Sequence, residues 1–178
     1  MKSPTALRSS LHERLHHEAR AYAGDADRPL AAYTGLMGAF AATVAGVSVA
    51  AGVSGRELPD PRPWDVALSA LATHQLGRLL AKDPVTSPLR APFTRFEGTT
   101  GPAELKEEVR GTGARKAIGE LLSCPFCTGL WIATGITAGT LFAPRATRLA
   151  TATLSALAAA DFLQFARTAL QRAADETR

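Results

Sequence analysis

The two cysteines of the chain, Cys124 and Cys127, stand three apart in "ELLSCPFCTGLWIATGITAG", with a proline between them and an apolar run behind. This type and spacing suits a redox dithiol, half of a metal site, or two small residues at a helix boundary. Pro125 disfavours the helical conformation at Cys124 and suits the first turn of a helix, where its missing N–H would be unpaired anyway. The spacing predicts a helix starting at Pro125, with Cys124 near the N-cap and Cys127 in the first turn. A helix N-terminus favours thiolate over thiol. The surrounding sequence offers neither a strand–helix setting for thioredoxin-like exchange nor two further nearby ligands for structural zinc. Small, polarizable residues at a kinked helix entry are the simplest reading.

His12 to His16 reads "HERLH", an H-E-x-x-H pattern. On a helix, His12 and His16 would share a face as a ligand pair, with Glu13 as the base of a zinc protease. Only eleven residues precede the motif and no third ligand follows at a known spacing, so proteolysis is not expected. A milder expectation joins both pairs, with His12, His16, Cys124 and Cys127 completing a tetrahedral zinc site. Beyond that possible zinc no cofactor is expected, and no catalytic residue is assigned. "RGTGARKA" lacks the spacing of a phosphate loop.

The elements that must position these groups are long and apolar. Leu30 to Val53 holds 24 residues without a charge. At about 1.5 Å per residue it reaches roughly 36 Å, more than the ~30 Å hydrocarbon core of a bilayer. Leu121 to Ala143 is a second uncharged run, and Leu149 to Ala166 is interrupted only by Asp161. Trp64 to Leu80 is weaker, since it carries Asp65, His74 and Arg78. Small residues recur every fourth position at Gly38, Ala42, Gly46 and Ala50, at Gly135 and Gly139, and at Ala152, Ala156 and Ala160. That spacing lets membrane helices approach closely or self-associate. A soluble bundle of Ala-rich helices is the competing reading, and the mean hydropathy of +0.02 leans that way.

Charge separates the two readings. With four spans, near 30–53, 64–80, 121–143 and 149–166, fifteen Lys and Arg fall in the N-terminal arm, the central loop 81–120 and the C-terminal tail. Four fall in the other two loops, namely Arg56, Arg62, Arg145 and Arg148. The positive-inside rule then puts both termini and the central loop in the cytoplasm. Ionisable groups at membrane depth are costly and face partners, so His74, Arg78 and Asp161, with Gln75 and Gln164, form a third candidate set. Asp161 is expected to pair with His74 or Arg78, as a helix lock or as part of an ion path.

Organisation follows. Residues 1–28 form a polar arm, expected to be helical and interfacial through Leu7, Leu11, Leu15 and Tyr22. The arm has no apolar signal region and is expected to be retained. Residues 29–170 form the membrane domain and 171–178 a tail. In the central loop, Pro84, Pro88 and Pro92 rule out an uninterrupted helix and predict an extended segment. There Leu89, Phe93 and Phe96 would rest in the bilayer interface while Arg90 and Arg95 face lipid phosphates; a rigid surface loop is the alternative. "TGPAELKEEVRG" reads as a short polar helix with Pro102 in its first turn, and "TGARKAIGELL" as a second amphipathic helix. Basic residues are scattered among acids and aromatics are few, which excludes nucleic acid as a partner.

"LATHQLGRLLAKDPVTSPLRAPFTRFEG" followed by "GELLSCPFCTGLWIA" resembles the bacterial membrane-protein family catalogued as domain of unknown function 1360, some of whose members carry a sporulation-related label. The resemblance covers roughly Trp64 to Leu170, and Phe126 stands where the family is associated with tryptophan. It implies a multi-span helical membrane protein and no activity. The expectation is an all-α, integral membrane helical bundle of about four spans in the cytoplasmic membrane, non-enzymatic, a scaffold or accessory protein. Its partners would be the bilayer and a protein met through a loop presenting Asp83, Arg90, Phe93 and Arg95. The alternative is a thiol- or metal-dependent membrane protein using Cys124 and Cys127.

Overall fold

Helix α1, Leu30–Val53, is apolar on every side and buries only Ala51. In the computed structural model, which describes residues 13–14, 17–24, 26–101 and 103–176, it lies at the edge of the helical assembly. The centre is α2, Pro63–Lys82, where Asp65 accepts from the N-cap N–H of Arg62 at 3.1 Å. Helix α2 packs chiefly against α4, Pro125–Phe142, and α5, Pro144–Glu176. Its buried face is made of small or amide side chains, Ala72, Gln75, Gly77 and Ala81. A Cβ on Gly77 would stand 3.2 Å from the carbonyl oxygen of Pro125, so the close crossing of α2 and α4 needs glycine there.

The α2–α5 contact uses the same device. Thr151, Ser155 and Ala158 are buried, and Ser155 donates to the Leu68 carbonyl at 2.8 Å. The neighbouring stripe Ala152, Ala156 and Ala160 faces outward, as do Gly38, Ala42, Gly46 and Ala50 on α1. Helices α4 and α5 are separated by Ala143 alone, so Arg145 and Arg148 lie in the first turns of α5 rather than in a loop. Arg56 reaches from the loop after α1 to donate to the Leu141 carbonyl at 2.8 Å, capping α4.

The central segment departs from expectation in three ways. First, the chain is mostly helical rather than all-α. Thr94–Gly101 (β1) and Glu104–Val109 (β2) form an antiparallel hairpin, so the expected polar helix over "TGPAELKEEVRG" is a strand. Glu, Leu and Lys are good helix formers, but Leu105, Glu107 and Val109 are covered while Lys106 and Glu108 are exposed, a period of two that serves a one-sided strand. Second, the proline-rich stretch is not extended. It coils into a 3₁₀ turn, Pro84–Thr86, and one α-turn, Ser87–Arg90, each with a proline in its first turn where no N–H is needed. Third, Arg90 does not face lipid phosphates, because its side chain is fully buried.

The expected amphipathic helix is present as α3, Gly113–Ser123. It packs under the hairpin at Gly119, where an added Cβ would come within 2.7 Å of Val109 Cγ1 and 3.1 Å of the Phe93 oxygen. On its other side, Glu120 accepts from the Tyr33 hydroxyl and pairs with Arg28 at 3.6 Å, tying α3 to the start of α1. Hydrogen bonding to Tyr33 first, and the charge of Glu120, push the Arg28 guanidinium further above its ordinary range, so it carries its charge at every accessible pH.

Candidate functional site: an arginine clip and the groove beside it

A helix ends with carbonyls that have no intrahelical partner and with the negative end of its dipole. At the end of α2 the chain reverses through "DPVTSPLR" and returns a guanidinium to that point. Asp83 starts the reversal by accepting from the Val85 N–H at 2.8 Å. The Thr86 hydroxyl turns back to the Leu79 and Asp83 carbonyls. Arg90 then donates to the Leu80 carbonyl at 2.7 Å, the Thr86 hydroxyl at 2.7 Å and the Asp83 carbonyl at 3.1 Å. Its Nε meets Glu107 Oε2 at 2.5 Å, and the two side chains are 1% and 6% exposed. A buried cation is thus surrounded by a carboxylate and the carbonyl end of a helix, which satisfies every donor direction used. The group that caps α2 also holds β2.

Arg78, one turn earlier on α2, repeats the logic toward the bundle. It meets Asp161 Oδ2 at 2.8 Å and Glu104 Oε1 at 3.7 Å. Gln75, almost fully buried, donates to the same Asp161 oxygen at 3.0 Å. His74 does not join this cluster; its ring stacks against Phe162 at 6.0 Å. Gln164 is exposed. Helix α5, helix α2 and strand β2 therefore meet around two arginines, with Glu107 buried against Arg90 and the partly exposed Glu104 near Arg78. Glu104 and Glu107 were not among the residues singled out from sequence. The alternation over residues 105–109 takes in Glu107 but not Glu104.

Cys124 caps α4 as its N-cap residue, with Sγ accepting from the Cys127 N–H at 3.2 Å. The structure joins the two cysteines as a disulfide, Cα atoms 5.2 Å apart, so neither is a free thiol here. Cys127 is exposed and Phe126 beside it is 92% exposed. His12 and His16 lie outside the described residues, so their juxtaposition with the cysteines has no structural description. Of the loop candidates, Asp83 and Arg90 come together in the clip, Phe93 is half-buried over α3, and Arg95 points to solvent on β1. Leu89 and Phe96 are exposed beside it.

Between α2 and α4 runs a groove of about 940 Å³. Its floor is apolar, from Val66 and Ala70 on α2 to Ala133 and Ile136 on α4, and its mouth at the clip end holds Arg78, Lys82 and Glu104. At the far end it continues through Val66 and Ile136 into a smaller cleft of about 440 Å³.

Among the described residues three helices, α1, α4 and α5, are long and apolar enough to cross a membrane. With their large exposed apolar side chains and the arginine-clipped hairpin, they point to a membrane-associated helical protein. The chain belongs to the family described as Protein of unknown function (DUF1360), whose model matches residues 68–167, the stretch that holds the clip, the hairpin, the cysteine pair and the Asp161 contact. It is also similar to Sporulation protein YjcA of Bacillus subtilis (strain 168), 42% identical over 71 residues, which cover 38% of this chain and 60% of that protein. The match thus spans about three-fifths of the relative's length. No solved structure matches.

Proposed function

We propose that the protein is a non-enzymatic integral membrane scaffold that presents its hairpin to a protein or lipid partner on the cytoplasmic side. The observation that carries this reading is the clip. The ionisable groups nearest the bundle, Arg78, Asp161, Arg90 and Glu107, are engaged with one another and with helix-end carbonyls. They lock a hairpin and α3 onto one end of the helices, which is an investment in rigidity. The exposed side chains of the hairpin, Arg95, Phe96 and Lys106, are what such a rigid mount would display.

In this reading α2 is a fourth span. It is packed lengthwise against α4 and α5, so it shares their depth, and its polar groups turn to partners within the bundle as membrane-embedded ones must. Four spans with the positive-inside bias put the termini, the clip and the cysteines in the cytoplasm of a bacterial cell. The outward stripe Gly38, Ala42, Gly46 and Ala50 supports self-association as a further partner mode. By similarity to the Bacillus relative, a link to sporulation is part of the proposal. Photo-crosslinking from position 96 in living cells tests the scaffold role. A discrete crosslinked protein or lipid band is expected, and its absence at this and neighbouring hairpin positions refutes presentation.

A second reading, a thiol- or metal-dependent protein, is favoured by the placement of Cys124 and Cys127 at a helix N-terminus. Maleimide labelling of intact cells and lysates decides between them. Labelling that needs reductant supports thiol chemistry. Labelling that needs chelator supports a metal, with His12 and His16 as the remaining zinc ligands. Labelling on lysis alone supports the scaffold.

A further inference from the structure

We infer that the α2–α4 groove is a phospholipid site, and that its preferred occupant carries a phosphoethanolamine head group. On α2, Val66, Ala70, His74, Arg78 and Lys82 line the groove at every fourth position, with Ser69 and Thr73 beside them, so the groove follows the helix axis. The sixteen steps from Val66 to Lys82 extend roughly 24 Å at 1.5 Å per residue. The floor on α4 from Gly129 to Thr137 takes about 12 Å of this, close to the ~15 Å that one leaflet contributes to a bilayer core. The remainder is the polar mouth. An extended apolar floor of leaflet length leading to a charged mouth is the shape of a lipid with its head at the membrane surface. Basic pockets between spans on the cytoplasmic side commonly take phospholipid head groups.

The charges at the mouth select the head. Arg78 is committed to Asp161 at 2.8 Å, with Gln75 on the same oxygen. Lys82 has no ion-pair partner among the described residues, although it lines the groove. Glu104 is held only loosely, 3.7 Å from Arg78, and its side chain is 36% exposed. The mouth therefore offers one cation and one anion, not paired with each other. A phosphate satisfies Lys82. A primary ammonium donates charged hydrogen bonds to Glu104. A choline head has no N–H to donate, and a glycerol head leaves the Glu104 charge unanswered. The chain would lie over Val66, Ala70, Ala133 and Ile136, with Phe126 beside the head.

The inference rests on the membrane reading, and its test keeps the two apart. The full-length protein is extracted in mild detergent, exchanged into nanodiscs of equimolar phosphatidylethanolamine, phosphatidylglycerol and phosphatidylcholine, and released for native mass spectrometry. The expected result is one retained phospholipid, with phosphatidylethanolamine preferred. Lys82→Gln should weaken retention of all three about tenfold, as for one charged hydrogen bond. Glu104→Gln should erase the preference while leaving binding. Ala133→Trp, at an exposed position, should fill the floor and abolish retention. Retention that is absent in the wild type, unchanged in Lys82→Gln and Ala133→Trp, or biased to phosphatidylglycerol overturns the site. A protein that resists carbonate extraction yet holds no lipid overturns the groove alone. One released by carbonate overturns the membrane reading as well.

Discussion

Replacing Arg90 by methionine removes a buried guanidinium while keeping most of the side-chain volume. Three losses follow. Glu107, 6% exposed, is left as an uncompensated carboxylate. The Leu80 carbonyl and the Thr86 hydroxyl lose the donor Arg90, and the Asp83 carbonyl keeps only Thr86. Removing one member of a buried ion pair costs about 3–5 kcal/mol, most of it the penalty on the remaining charge. The orphaned Leu80 carbonyl adds up to about 1–3 kcal/mol, reduced where water enters. We therefore expect Arg90→Met to destabilise by about 4 kcal/mol. If the penalty lies in the carboxylate, Glu107→Gln in the Arg90→Met background should restore roughly 2 kcal/mol, a coupling typical of residues in direct contact. Arg95→Met, at an exposed position on the same hairpin, should stay within about 0.5 kcal/mol. The assay is denaturant unfolding of the detergent-solubilised protein, with limited proteolysis reporting release of the hairpin. An Arg90→Met protein within about 1 kcal/mol of wild type, or no relief from Glu107→Gln, refutes the clip as the element that holds β2.

Asp161→Asn keeps the hydrogen bond from Gln75 but removes the charge facing Arg78, and should cost about 1 kcal/mol in detergent, the scale of interhelical polar contacts in membranes. Gly77→Leu drives a side chain into the Pro125 carbonyl and should lower the yield of crosslinks between α2 and α4; unchanged crosslinking would mean the helices are not held at this distance. Gly119→Val should overpack the contact with Val109 and Phe93, costing about 1–3 kcal/mol in the same unfolding assay. In intact cells, Cys124 and Cys127 should stay unlabelled by an impermeant maleimide, whereas labelling from outside would reverse the proposed orientation.

Much of the helical frame was legible because it depends on local chemistry. Pro125 starts α4 where its missing N–H is harmless, and Cys124 becomes the cap that the spacing predicts. The long apolar stretches fall in α1, α4 and α5, with only Asp161 interrupting the one in α5. Asp161 was expected to pair with His74 or Arg78, and it pairs with Arg78, because opposite charges in an apolar bundle have a strong reason to meet. The central segment was not legible. Pro84, Pro88 and Pro92 correctly forbade one continuous helix, but short turns and an extended strand both satisfy that rule. The helix propensity of "ELKEEV" pointed to a helix, and Glu107 makes sense inside a strand only once Arg90 is known to be waiting for it.

The sequence by itself determined that α4 starts at Pro125 and which stretches are apolar enough for a membrane. These follow from properties of neighbouring residues: proline geometry and hydropathy summed over a window. Tertiary structure decided that Arg90 is buried rather than facing lipid, that residues 104–109 form a strand, and that Lys82 and Glu104 share one groove mouth. Those outcomes depend on a cation finding the carbonyl end of a helix and a carboxylate 17 residues further on, and only the closed chain sets that meeting.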